Sequence, residues 1–510
     1  MSANITQENK LKGKRVLIFQ QRRWGLSIGH FLAKKLQSEG CTLAALTLKR
    51  TTHEFTATQK EVNYALIINN DEIMRRSKDY LRGEDFSLQE ICKALNVDSI
   101  WPIARTLRSF AMSYKDKYYY SFKQNVSDEE MIDYVKAVYK CIKFVFDKFN
   151  PDVILTPNFV SLPHIMFNLF AERHGVRMIE VTDSKVKGTF LFSHGFLADR
   201  GPFCDRVDEL NDGLVESANR QKARKYIKEF RETFKQPDYL VKLNESEPFF
   251  KKIRREMSPY YHTLRWYLKK PVNYLDNLGI TPDYRPPKIV LRDHYCRKKY
   301  KKFMDNFNYY PFEKMGRFAY FPLQVQPEAT IDVIAPYFNN QMEVARQVAM
   351  SLPDDYTLVV KEHPAMVGLR PSSYLEKIAR TVNVKFVDYR ISSETILKRA
   401  DLVISPSGTT MAEAAFLKKP AIQLGDLGLT LKLPNVIKHT DMKTLSAAIK
   451  KALAMNFDNP EYERRLENYV AATYDTGFDS NYLAAWEKGE KEHLDGIWKA
   501  YKKEIERVLG

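Results

Sequence analysis

Strand-like apolar runs alternate with helical patterns along almost the whole chain. The first run is Arg15-Val-Leu-Ile-Phe-Gln20, and it is followed by a glycine-containing loop and a helix predicted from about Gly29 to Glu39. Two parallel strands need a crossover connection, which is usually a helix, so this alternation is typical of parallel sheets. The sequence therefore predicts an α/β protein.

The alternation comes as two series of elements. In the first series, further strands are predicted at Leu43–Leu48, Tyr64–Asn69, Asp152–Pro157 and Arg177–Thr182, and a helix at Met131–Phe149. In the second, strands are predicted at Phe318–Val325, Thr357–Glu362, Val384–Asp388, Asp401–Ser405 and Ala421–Leu424, with helices near Asn339–Ser351, Ser373–Thr381, Ser393–Ala400 and Thr410–Leu417. Two Rossmann-like domains follow from this arrangement. In such pairs the ligand is expected in the cleft, beyond the carboxyl ends of the strands.

The domain boundaries follow from breaks in this rhythm. Residues from about 190 to 287 are rich in charges and tyrosine, and we interpret them as a helical insertion. We predict an N-terminal domain over residues 1–310 that includes the insertion, and a C-terminal domain over residues 311–475. Residues 476–510 are expected to form helices that pack back on the N-terminal domain, with Trp486 and Trp498 as packing anchors.

The bulk composition limits the class of protein and of partner. The chain has 510 residues, more than one core usually supports, and a formal net charge of +17, which favours an anionic partner. Its five cysteines are scattered without a CxxC motif, so neither a structural zinc site nor a disulfide framework is indicated. No apolar run approaches the roughly 20 residues that span a bilayer, and the N-terminus lacks a signal-peptide pattern. We expect a cytoplasmic protein, either soluble or peripheral on the inner face of the membrane.

The segment Asp401–Gly425 carries the most specific chemistry. It reads as an apolar run, a small-residue loop Ser405-Pro-Ser-Gly-Thr-Thr410 and the start of a helix. In such a loop, the backbone N–H groups at the positive end of the helix dipole point into the loop, which makes an anion cradle. The alternative is ordinary helix capping, because Thr410-Met-Ala-Glu413 also fits a capping box.

The cradle interpretation assigns a role to each residue of the loop. Hydroxyl and backbone groups would hold a phosphate, and glycine would let the ligand approach closely. Glu413, about one turn inside the helix, would accept hydrogen bonds from ribose hydroxyls, and the same residue can also serve the cap. The predicted donor-binding residues here are Ser405, Ser407, Gly408, Thr409, Thr410 and Glu413.

Two further candidates lie after other strands of the second series. In Lys361-Glu-His-Pro364, the proline keeps His363 out of the helical region and places the imidazole at the carboxyl edge of its strand. There it could donate to a phosphate, while Lys361 adds positive charge. Glu328, which follows the strand beginning at Phe318, could orient a sugar hydroxyl or act as an acid or base. The plainer alternatives are a proline turn with a solvated histidine and a surface carboxylate.

The first series offers weaker candidates. His30 lies in Trp24-Gly-Leu-Ser-Ile-Gly-His30, at a strand-to-helix turn that suits contact with an acceptor or with the reacting carbon of the donor. Asp183 lies just after a predicted strand. The alternative for His30 is a tight turn with a helix cap.

Basic and aromatic clusters lie in and beside the insertion. Lys251–Arg255 and Arg297–Lys302 are runs of charge, and Tyr260–Lys270 mixes aromatic residues with cations. That mixture suits a membrane surface with anionic headgroups, although a solvated helix face over a core fits it at least as well. No nucleic-acid-binding motif accompanies the clusters.

The second series resembles known proteins. Ser407-Gly-Thr-Thr-Met-Ala-Glu413 is similar to the nucleotide-sugar loop of GT-B glycosyltransferases. The combined runs FPLQVQPE, VVKEHPAMVGLRP and DLVISPSGTTMAEAA more closely resemble bacterial capsule polysaccharide synthesis proteins of the KpsC/KpsS type, which include Kdo transferases. An HP motif and a Ser/Thr motif are also shared with bacterial sialyltransferases that use CMP-sugars. The similarity covers about Phe318 to Leu429.

The resemblance implies a GT-B fold and a glycosyltransferase. The donor would bind the C-terminal domain through Lys361, His363, Pro364 and the Ser407–Glu413 loop, and a glycan or glycolipid acceptor would bind the N-terminal domain. His363, Glu328, His30 and Asp183 would be the catalytic candidates, with no metal and no cofactor, and a CMP-sugar favoured over a UDP-sugar. The alternatives are a nucleotide-sugar 2-epimerase, a CDP-polyol phosphotransferase and a non-catalytic polysaccharide assembly protein. The sequence leaves the oligomeric state open.

Overall fold

The computed structural model describes residues 10–107, 126–235, 249–269, 287–479, 481–488 and 492–510. Parts of the predicted insertion, and Lys270 at the end of the aromatic and basic stretch, lie outside these residues. The chain divides into two compact units: Met1–Ala104, Glu129–Arg206 and Thr473–Gly510 form the first, and Arg105–Asp128 and Val207–Ala472 form the second. No helix of the described residues is long and apolar enough to cross a membrane.

The described strands, in chain order, are β1 (Arg15–Gln20), β2 (Thr42–Thr47), β3 (Tyr64–Asn69), β4 (Val153–Leu155), β5 (Arg177–Asp183), β6 (Phe190–Ser193), β7 (Phe318–Pro322), β8 (Thr357–Lys361), β9 (Val384–Val387), β10 (Leu402–Ser405), β11 (Ala421–Gln423) and β12 (Val436–Lys438).

The described α-helices, in chain order, are α1 (Arg22–Leu26), α2 (Ile28–Ser38), α3 (Arg50–Thr58), α4 (Asn70–Arg75), α5 (Ser77–Leu81), α6 (Leu88–Leu95), α7 (Trp101–Ala104), α8 (Asp128–Lys148), α9 (Leu162–Arg173), α10 (Pro202–Asn211), α11 (Arg220–Glu232), α12 (Phe249–Lys269), α13 (Pro287–Asp305), α14 (Ala329–Asp332), α15 (Gln341–Ser351), α16 (Ser372–Ala379), α17 (Ser393–Arg399), α18 (Thr410–Phe416), α19 (Gly428–Leu431), α20 (Leu445–Leu453), α21 (Pro460–Thr476), α22 (Tyr482–Lys488) and α23 (Leu494–Val508).

Each unit contains one six-stranded sheet, and both sheets have the same strand order. The first runs β3-β2-β1-β4-β5-β6, and the second runs β9-β8-β7-β10-β11-β12. Neighbouring strands are parallel except β5 and β6, which pair antiparallel. This is the doubly wound order, and the winding reverses between β1 and β4 in one sheet and between β7 and β10 in the other. The predicted α/β class and the two Rossmann-like sheets are confirmed.

Strands β7, β10 and β11 are buried at every residue and β8 at every residue but Thr357, as is typical of a parallel sheet covered by helices on both faces. On one face, Phe321, Val360 and Ile404 pack into a single core with Val344 and Val348 of α15. Each such side chain stabilises the fold by about 1.5–3 kcal/mol when it leaves water. This core fixes where the three strands end, and therefore where the loops after them begin.

The chain division differs from the predicted boundaries after β6. The second unit includes Val207–Ala472, so the described residues between 207 and 310, which we assigned to the N-terminal domain, cluster with it. The rings of Tyr226 and Phe230 on α11 lie 5.6 and 4.6 Å from the ring of Phe416 on α18. Arg231 Nε also donates to the carbonyl oxygen of Phe416 at 2.9 Å. The apolar face of α11 is evident from its sequence, but no local signal tells which core it covers.

Two strands were not predicted. The insertion was expected to be helical from about Phe190, but residues 190–193 form β6, and Val436–Lys438 form β12. Strands of three or four residues are too short to show a period.

The tail from Thr473 belongs to the first unit, where Trp498 is buried in the core, Trp486 packs against it, and Tyr482 OH accepts a hydrogen bond from Trp24 Nε1 at 2.8 Å.

Candidate functional site

The loops that follow β7, β8 and β10 are joined by hydrogen bonds at the carboxyl edge of the second sheet. Gln324, just beyond β7, donates from Nε2 to Ser405 Oγ at 3.1 Å, and Arg370 Nη2 donates to the carbonyl oxygen of Gln324 at 2.5 Å. Arg370 also pairs with the carboxylate of Glu362, directly after β8, and both side chains are fully buried. The three loops therefore form one connected set where the winding of the sheet reverses.

Buried amides hold the loop after β7. The backbone N–H of Gln324 donates to Gln341 Oε1 at 2.6 Å, and Gln341 Nε2 donates to Gln326 Oε1 at 3.1 Å. Gln326 Nε2 in turn donates to Asp332 Oδ1 at 3.0 Å. A satisfied network of this kind makes the loop rigid. We did not single out these residues from the sequence. The available signal was the alternation of two glutamines in Leu323-Gln-Val-Gln326, which places both side chains on the same side of an extended chain.

The two serines at the end of β10 and in the loop after it both donate to backbone carbonyl oxygens of the fold. Ser405 Oγ donates to the carbonyl oxygen of Ser407 at 2.8 Å, and Ser407 Oγ donates to that of Thr330 at 2.6 Å. Both serines are fully buried, whereas Thr409 and Thr410 are half-buried. The serines therefore fix the shape of the loop, and the two threonines are its more accessible hydroxyls.

Gly408 is required by the shape of the same loop. Its φ is +119°, and a Cβ at this position would lie 3.0 Å from Gln324 Oε1. A residue with a side chain would be strained in this backbone region and would press on the glutamine. The glycine thus allows the loops after β7 and β10 to approach closely.

The capping box considered for Thr410 and Glu413 does not form. The N-cap of α18 is Thr409, which makes no side-chain cap hydrogen bond, so Thr410 is already the first helical residue. Glu413 then lies one position too far into the helix for the box. Its side chain is 5% exposed. Burial raises the pKa of Tyr320 and the charge of Glu413 adds to that rise, whereas at Lys361 the same charge opposes the fall in pKa that burial causes.

Lys361 is buried rather than directed to solvent. Its Nζ donates to the carbonyl oxygen of Ile391 at 3.0 Å and lies 3.4 Å from Ser393 Oγ. Burial lowers the pKa of this lysine to about 8, against the opposing effect of Glu413 and two other carboxylates. Lys361 therefore acts on the site through the electrostatic field of its positive charge.

His363 has a defined tautomer. It is the N-cap of the 3₁₀ turn Pro364–Met366, and its Nδ1 accepts from the backbone N–H of Ala365 at 3.1 Å. Burial, and then the charges of Lys361 and Arg370, lower the pKa of His363 to about 4. Near neutral pH the ring is uncharged, and because Nδ1 is the acceptor, the proton is on Nε2. The side chain is thus an N–H donor.

The other predicted catalytic residues have local partners. Glu328 is exposed and accepts from the backbone N–H of Thr330 at 3.3 Å as the N-cap of α14. In the first unit, His30 Nε2 lies 2.7 Å from Glu61 Oε2, and this contact with that of Lys34 lowers the pKa of Glu61 to about 2. Asp183 accepts from the backbone N–H of Lys185 at 2.8 Å. Their catalytic roles stay predictions.

No protein-family model and no curated protein matches this chain. Among solved structures, it is similar to Thermosulfurimonas dismutans KpsC, a β-Kdo 2,7 transferase, at 12% identity and a TM-score of 0.33, over 68% of this chain and 80% of that chain. It is also similar to the UDP-GlcNAc 2-epimerase of Methanocaldococcus jannaschii, at 12% identity and a TM-score of 0.26, over 90% and 99% of the two chains. A glycotransferase of kitacinnamycin matches at 11% identity and a TM-score of 0.23, over 96% and 99%.

Proposed function

We propose that this chain is a glycosyltransferase that binds a nucleotide-sugar donor on its second unit. The observation that carries the proposal is the hydrogen-bonded set of loops after β7, β8 and β10, which lies where doubly wound sheets bind nucleotides. The loop after β10 offers Thr409 and Thr410 hydroxyls beside a glycine, and the loop after β8 offers the N–H of His363.

These groups suit a phosphate leaving group. Transfer breaks the bond between the anomeric carbon and a phosphate oxygen, and forms a bond from that carbon to an acceptor hydroxyl. Negative charge then develops on the phosphate, where fixed hydroxyl and N–H donors stabilise it. The fields of Lys361 and Arg370, which disfavour a cationic His363, favour an anion in the same place. We assign Glu413 to the ribose, and propose that Glu328, His30 or Asp183 takes the proton of the acceptor.

The favoured donor is a CMP-linked sugar acid such as Kdo, and the favoured acceptor a surface polysaccharide or glycolipid. A CMP-sugar releases a monophosphate, which needs less neutralisation than a diphosphate. Beyond the uncharged His363, the donors that we assign to the phosphate are the threonine hydroxyls, because Lys361 donates to a backbone carbonyl and Arg370 pairs with Glu362 inside the fold. A leaving group of lower charge therefore matches this set of hydrogen-bond donors.

A thermal-shift panel of CMP, CDP, UDP and GDP tests the proposal. A ligand at a hundred times its Kd stabilises the folded state by about 2.7 kcal/mol, and we expect CMP to give the largest shift. Release of CMP from a CMP-sugar should then require a glycan acceptor. Conversion of the donor without acceptor would indicate an epimerase, and a dominant shift with CDP a polyol phosphotransferase. No shift with any nucleotide would contradict the proposal and favour an assembly role.

A further inference from the structure

Helix α12 presents large apolar side chains to solvent. Phe250 is 84% exposed, Leu268 75% and Phe249 70%. Ile253 and Leu264 are also exposed, and Phe249, Ile253, Leu264 and Leu268 recur at spacings that place them on one face of a helix. Exposed apolar surface of this extent and continuity marks an interaction site in a soluble protein.

The same helix is strongly cationic. Lys251, Lys252, Arg254, Arg255 and Arg265 are all exposed, and the helical spacing places Arg254 and Arg265 beside the apolar face. The sequence of α12 contains a single carboxylate, Glu256, and its Oε2 lies 2.6 Å from Lys298 Nζ on α13. The exposed charge along the helix is therefore of one sign.

The adjoining side of α12 packs against α13, with Tyr260 at the border of the apolar face. Tyr260 OH lies 2.8 Å from Tyr295 OH, and the rings of Tyr260 and His294 are 5.8 Å apart. These contacts, with the Glu256–Lys298 pair, anchor the helix and leave its apolar face outward. Arg297 and Lys299 on α13 are exposed and add further positive charge.

We propose that α12 is a membrane-binding helix that lies in the plane of a bilayer surface with anionic headgroups. Phe249, Phe250 and Leu268 enter the boundary between headgroups and acyl chains, and Arg254 and Arg265 beside the apolar face bind lipid phosphates. Charge selects this occupant over a second copy of the chain, because two such faces would bring like charges together. The proposal does not depend on the nucleotide site.

Flotation with lipid vesicles tests the proposal. The full chain should bind vesicles of equal parts phosphatidylglycerol and phosphatidylcholine, should not bind phosphatidylcholine alone, and should be released by high salt. Each basic residue near an anionic surface contributes about fivefold to binding, so Arg254→Glu with Arg265→Glu should weaken it by at least about twentyfold. Phe250→Ser with Leu268→Ser should weaken it by more than about tenfold at unchanged charge.

Matched controls isolate the helix. Lys450→Glu with Lys451→Glu reverses two exposed charges on α20, and Leu214→Ser with Val382→Ser removes two exposed apolar side chains elsewhere. Both controls should bind as the unchanged chain does, and all variants should keep its circular dichroism and unfolding midpoint.

Three outcomes would overturn the proposal. They are equal binding to both vesicle types, unchanged binding by either α12 variant, and a dimer in light scattering that only the α12 variants dissociate. The last result would assign the face to a second copy of the chain.

Discussion

Gln324 Nε2 donates a hydrogen bond to Ser405 Oγ at 3.1 Å and so joins the loops that follow β7 and β10. The hydroxyl of Ser405 in turn donates to the carbonyl oxygen of Ser407, which extends this chain of hydrogen bonds into the loop after β10. We expect Gln324→Ala and Ser405→Ala to be coupled by about 1 kcal/mol in a double-mutant cycle of urea unfolding. Each variant should also reduce the nucleotide-induced thermal shift. Additive effects would show that the loops are stabilised independently.

Gly408→Ala should destabilise the second unit by about 1–3 kcal/mol, since a non-glycine residue is strained at a φ of +119°. The new methyl group would also displace Gln324 from its position. Urea unfolding gives the stability, and isothermal titration with nucleotide gives the affinity. Gly316→Ala is the matched control, because a Cβ there meets nothing within 4 Å. Equal effects of the two substitutions would refute a special role for Gly408.

The sheet and the position of the site follow from local sequence. β1 and β3 have the predicted bounds, because their apolar runs end at polar loops. The loops with Ser405–Thr410 and His363 come directly after strands, so their common edge follows from the parallel arrangement. The position of these loops at one edge of the sheet therefore needed no long-range information.

The direction of each side chain does not follow from local sequence. A serine in a small-residue loop can bind a ligand or the backbone, and only the packing of α14 shows that Ser407 bonds to the carbonyl oxygen of Thr330. Lys361 is the last residue of β8, where the sequence suggests a side chain exposed to solvent. In the structure, that side chain is turned towards Ser393. Arg370 lies eight residues after Glu362, and its pairing depends on the fold of the intervening turn.

Arg370→Met should destabilise the protein by about 3–5 kcal/mol, because it leaves the carboxylate of Glu362 buried without its cation. It also removes the donor to the carbonyl oxygen of Gln324. Urea unfolding checks the size of the effect, and the double variant Arg370→Met with Glu362→Gln should recover part of it. Arg346→Met, which breaks an exposed pair with Glu343, should change stability little. A similarly small effect at Arg370 would be inconsistent with a buried pair.

His363→Ala and His363→Asn should distinguish the roles of the two ring nitrogens of His363. Both remove the Nε2 donor, and under the proposed function both should lower kcat by about a hundredfold. Only alanine removes the acceptor for the Ala365 N–H, so only alanine should lower stability, by about 1 kcal/mol. Steady-state kinetics and urea unfolding measure the two effects. Near-normal turnover in both variants would exclude His363 from the chemistry.

The pH dependence of stability should report the burial of Lys361. The pKa of this lysine falls from its ordinary value of 10.5 to about 8 in the folded chain. Between these values the unfolded chain binds a proton that the folded chain has released, so stability rises with pH across the window. Below pH 8 both states are protonated, and the unfavourable burial of the charge is fully present.

Lys361→Met removes this titration at similar side-chain volume. The free energy of unfolding of the unchanged chain, minus that of the variant, should therefore increase by up to about 3 kcal/mol from pH 8 to pH 10.5. Urea unfolding of both proteins at intervals of pH measures the difference, in which other titrating groups cancel. Lys450→Met on the exposed face of α20 controls for the replacement of a lysine at the surface. A flat or falling curve for Lys361→Met would mean that the folded state does not depress the pKa of Lys361.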